Sequence, residues 1–82
     1  MTTWIWLVRL FDDDGRESDT YVFTSLEILR KSIDASEYLL DDEDKSSIMM
    51  RDTYTLEAMS NKTGKMVIKA TLLPVYDEVT HL

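Results

Sequence analysis

Apolar and polar positions follow a strand-like pattern through most of this chain and switch once to helical spacing. Residues 3–11 hold Trp4, Ile5, Trp6, Leu7, Val8, Leu10 and Phe11, broken only by Arg9. So continuous an apolar run predicts a strand buried on both faces, usually a central one. Asp12, Asp13, Asp14, Gly15 and Arg16 follow, and Asp-Gly between two strands marks a hairpin because glycine accepts positive φ. Residues 17–24 read as the second strand, with Tyr21 and Phe23 on one face and Val22 on the other. Thr24 and Glu27 fit a capping box, in which each side chain satisfies a free amide at a helix start. Leu26, Leu29 and Ile33 then recur at helical spacing, widened by Ile28, while Arg30 and Lys31 lie off the stripe. The helix is expected from about residue 25 to the mid-thirties.

Ala35 to Ser47 reads as a loop with a helical turn, carrying the apolar patch Tyr38, Leu39 and Leu40 in an acidic stretch. Alternation returns over 48–59. Ile48, Met50, Tyr54, Leu56 and Ala58 share one face, and Arg51, Thr53, Thr55 and Glu57 the other. Met49 and Met59 fall on that outward face. Asp52 interrupts the apolar face, which implies either an ion pair with Arg9 or Lys69 or a strand bulge. Residues 60–65 supply a turn, 66–73 a last strand, and Pro74 is expected to end it, leaving 75–82 as a loose tail. The fold class is therefore α+β: a single domain over 1–82 with order ββαββ, a four-stranded antiparallel sheet with one helix on one face. Such a layout covers only one face of the first strand. Either the Trp4, Trp6, Val8 set or the Ile5, Leu7, Phe11 set then needs cover, from the Tyr38–Leu40 segment or from a second chain.

Composition narrows the chemistry. The 82 residues contain no cysteine, which removes disulfides, thiolate metal sites and thiol nucleophiles. Sixteen acids against nine bases give a net charge of −7, opposing direct binding to nucleic acid or an anionic membrane, which need cation-rich surface. No apolar stretch approaches the roughly 20 residues of a membrane span, and residues 1–8 lack the basic start of a targeting leader. A cytoplasmic location is expected. The charge is concentrated: residues 12–19 hold five acids against Arg16, and 34–44 hold six acids and no base. A helix returning antiparallel to the second strand brings its exit back beside the 12–19 turn. The same four-stranded topology sends Lys62 and Lys65 to the opposite end, roughly 25 Å away. A bipolar molecule is expected, acidic at one end and mildly basic at the other.

Candidate motifs do not carry chemistry. With Gly15 as the sixth residue of a calcium loop, the first and twelfth positions fall on Leu10 and Tyr21, so two of four required acids fail. Lys62, Thr63, Gly64 and Lys65 lack the Gly-Lys-Ser/Thr ending of a phosphate loop and precede a strand. His81, the one histidine, is penultimate and lacks the held geometry a catalytic base needs. Trp4 and Trp6 share a face with only Arg9 nearby, poor for stacking bases. No catalytic, cofactor or metal site is expected.

The chain instead reads as a small protein-binding inhibitor or regulator. Its partner-binding residues are Asp12, Asp13, Asp14, Glu17, Asp41, Asp42, Glu43 and Asp44. The expected partner is a protein with a basic, nucleic-acid-binding surface. In size, charge and layout, though not in sequence, the chain resembles phage-encoded anti-defence inhibitors such as anti-CRISPR proteins, and no residue carries over from that likeness. The alternative is an assembly module forming a homodimer through the apolar face of strand one. Direct nucleic-acid binding by Lys62, Lys65 and Lys69 ranks below both.

Overall fold

The computed structural model describes residues 2–12, 14–35 and 46–76. They form five strands and one helix: β1 Thr2–Phe11, β2 Glu17–Phe23, α1 Leu26–Asp34, β3 Ser46–Asp52, β4 Thr55–Ser60 and β5 Met66–Tyr76. The strands make one sheet in the order β2-β1-β5-β4-β3, with every neighbouring pair antiparallel. The α+β class and the antiparallel sheet match the expectation; the strand count does not.

The added strand comes from a reversal inside 48–59. Asp52 is the cause: its Oδ1 accepts the Tyr54 amide at 2.7 Å, so the side chain stands in for a backbone turn contact. The register is irregular between Met50 and Asp52, and Asp52 then pairs with Thr55. One alternating run thus folds back on itself, with Ile48 opposite Ala58 and Met50 opposite Leu56. Strand alternation survives a tight turn, so periodicity alone did not reveal it.

Pro74 does not end β5, which continues to Tyr76 and includes Val75 of the expected tail. The Leu72 amide donates to the Tyr54 carbonyl at 2.8 Å, so it points away from β1. Two residues on, Pro74 has the same orientation, past the end of β4, and its missing N–H costs no ladder bond. The helix start is also corrected. Ser25, not Thr24, is the N-cap, with its Oγ accepting the Ile28 amide at 3.2 Å. Glu27 pairs instead with Lys31, one turn on, at 3.2 Å.

The helix covers one face of the sheet. Trp6 and Val8 of β1, Leu56 and Ala58 of β4, and Ile68 and Ala70 of β5 are buried with Leu29 and Ile33 of α1. Phe23, Leu26, Met50 and Leu72 complete the layer from its margins. On the other face lie Ile5, Leu7 and Phe11, half-buried, and Arg9, exposed, so β1 is an interior strand, between β2 and β5, that is not buried on both faces. The Tyr38–Leu40 segment, offered above as its cover, lies outside the described residues, as do 77–82. Among the described residues no helix is long and apolar enough to cross a membrane.

Candidate functional site

The β1–β2 hairpin is built around Asp12. Its Oδ1 accepts the amides of Asp14 at 3.0 Å and Arg16 at 2.9 Å, while its backbone exchanges bonds with Gly15 and Arg16. Gly15 sits at φ 82°, in the left-handed region that a side chain would strain. The first expected contact residue is therefore committed to the turn. Glu17 is partly committed too, accepting the Thr20 hydroxyl at 2.7 Å. Asp14 and Asp19 are exposed, with no side-chain bond among the described residues. Asp13, Asp41, Asp42, Glu43 and Asp44 lie outside those residues.

The helix does return as expected. It starts beside the end of β2, and by its last turn Ile33 lines a cleft with Leu10 and Tyr21, next to the Leu10–Asp19 pair. Asp34 thus ends the helix on the same end of the sheet as the β1–β2 hairpin.

The end-to-end charge separation is overturned. Because β3 and β4 form a hairpin, the chain reverses once more than expected, and β5 starts at the end where β1 finishes. Lys62 and Lys65, in the β4–β5 turn, therefore lie at the same end as Asp12 and Asp14. That turn is held by Ser60, 4% exposed, whose Oγ accepts the amides of Lys62 and Thr63 at 3.2 Å each. The two hairpins are about two strand spacings apart, roughly 10 Å, against a Debye length of roughly 8 Å at physiological salt. The charges separate sideways: acids on the β1–β2 flank, lysines on the β4–β5 flank.

The open face offers a second surface. Val22 is 57%, Leu73 37% and Val75 41% exposed, bordering Ile5 and Leu7. Further along, Arg9 and Lys69 are direct cross-strand neighbours, and neither has an ion pair among the described residues. Beyond them Arg51 Nε meets Glu57 Oε2 at 3.3 Å. Of the two readings of Asp52, the ion pair with Arg9 or Lys69 does not form, because its carboxylate serves the turn, whereas the strand irregularity does, between Met50 and Asp52.

Among the described residues no group of three or more His, Asp or Glu side chains could hold a metal ion. His81 lies outside them. No family model matches the chain, and no curated protein or solved structure matches it.

Proposed function

We propose that this chain is a non-catalytic protein-binding inhibitor or regulator. Its acidic flank docks on a basic, nucleic-acid-binding surface of a target and occludes it. The observation that carries the reading is the β1–β2 flank itself. Asp14, Glu17 and Asp19 are exposed along a turn and an edge strand, with Arg16 the only base from residue 12 to residue 19. Carboxylates carried on a hydrogen-bonded hairpin present a pattern that a phosphate-binding surface can accept. The likeness in size and charge to phage-type anti-defence proteins, anti-CRISPR proteins among them, points the same way.

The test is capture of partners from a lysate by the wild-type chain and by two variants. One carries Asp14→Asn, Glu17→Gln and Asp19→Asn; the other carries Asp41→Asn, Asp42→Asn and Asp44→Asn. Protein captured at low salt by the wild type and released at high salt, but not held by the first variant, supports the flank. Capture unchanged by both salt and substitution sinks it.

The exposed Val22, Leu73 and Val75 favour a second reading, a homodimer formed through the open face. The apolar part of that face lies at the Ile5–Leu73 end, away from the charged Arg9, Lys69 and Glu57, so the dimer of this reading centres on Ile5 and Leu73. A dimer whose mass is independent of salt, measured by light scattering, would favour this reading over the first.

A further inference from the structure

We infer that the cleft between α1 and the sheet receives one large apolar side chain from a basic segment of a protein partner. The inference rests on the acidic-flank reading and adds the anchor that charge alone lacks. The cleft holds about 260 Å³, below the roughly 300–1,000 Å³ of pockets that engulf a whole small ligand. It is lined by the half-buried Leu10 and Phe23 and by the exposed Tyr21 and Ser32, over the buried side chains of Val8, Ile33 and Ile68. An apolar cavity of this size fits an aromatic or long aliphatic side chain, the type of anchor on which binding energy concentrates.

What selects the occupant is the charge beside it. Asp19 lies two residues from Tyr21 on the same strand and pairs with Leu10, so its carboxylate falls on the cleft side of β2. The hairpin that carries Asp14 and Glu17 adjoins it. An apolar anchor flanked by Lys or Arg meets both features together, the ring filling the cleft and the cations meeting the carboxylates. A neutral apolar ligand would use only the first, and a polycation only the second.

Methyl NMR of the full chain distinguishes these cases with two probes: acetyl-Lys-Arg-Phe-Lys-Arg-amide, and the same peptide with Ala for Phe. The Phe peptide is expected to shift the methyl signals of Val8, Leu10, Ile33 and Ile68. Ser32→Phe, which fills the cleft from an exposed helical position, is expected to abolish those shifts without lowering the melting temperature. Asp19→Asn is expected to weaken them several-fold. If both peptides shift only the β1–β2 amides, the anchor is refuted while the acidic-flank reading stands. If neither peptide shifts anything at millimolar concentration, both fail. If replacing Tyr38, Leu39 and Leu40 with Ser shifts those methyl signals without peptide, the cleft belongs to this chain's own segment and the inference is overturned.

Discussion

The two faces of this sheet are made by the same strands, yet they obey different rules. Under α1, alternate residues converge on one layer: Leu56, Ala58 and Ala70 are fully buried, and Trp6, Val8 and Ile68 nearly so. Their neighbours in sequence, Thr55, Glu57, Lys69, Leu7 and Arg9, point the other way into a mixed face where charge and apolar surface are interleaved. An antiparallel sheet can bury one face and wet the other, and here the packed core lies under the helix. The apolar residues that remain there, Val22, Leu73 and Val75, contribute little to a monomer's core.

The comparison breaks most visibly at Leu56. It is 0% exposed, in the central part of the helix-side layer. Leu56→Ala removes buried methyl groups and leaves a cavity, so it is expected to cost about 2–5 kcal/mol of unfolding free energy, read from denaturant midpoints. A loss below about 1 kcal/mol would mean that the layer under α1 is not close-packed.

A smaller effect is expected at Asp52. Asp52→Ala removes the acceptor of the Tyr54 amide and loosens the turn that creates β3. The expected cost is about 0.5–1.5 kcal/mol, with amide exchange rising first in β3, an edge strand paired only to β4. Exchange rising equally in β1 would place the turn's role elsewhere.

Which of these features the sequence could disclose follows from their range. The helix stripe of Leu26, Leu29 and Ile33, the Asp-Gly hairpin and the central place of β1 depend on neighbours within a few residues, and all were legible. The β3–β4 turn was not, because it uses no glycine or proline and keeps the alternating pattern intact. Asp52 was the visible signal, a carboxylate on an apolar face; the bulge reading located the irregularity between Met50 and Asp52 but not the reversal that follows it. That single reversal then moved Lys62 and Lys65 to the acidic end. Pro74 misled for a related reason: its tolerance depends on where β4 stops, which local sequence does not state. In the expected contact set, the acids of the hairpin could be found from composition, but not that Asp12 spends its carboxylate on the turn.

The smallest expected effect is the sharpest discriminator between the faces. Val22 and Leu73 flank Leu7 and Ile5 across β1, and both are more than a third exposed. Val22→Thr with Leu73→Thr keeps strand-favouring side chains while making the open face polar. In a monomer such surface changes stay within about 0.5 kcal/mol. If copies of the chain pair through this face, the same changes remove apolar area that the pairing buries. The melting temperature would then fall, by more at high protein concentration, because association stabilises the folded state by mass action. A double variant with unchanged melting at every concentration rules out pairing of copies through this face. A concentration-dependent loss, with a drop in mass by light scattering, assigns it to the sheet.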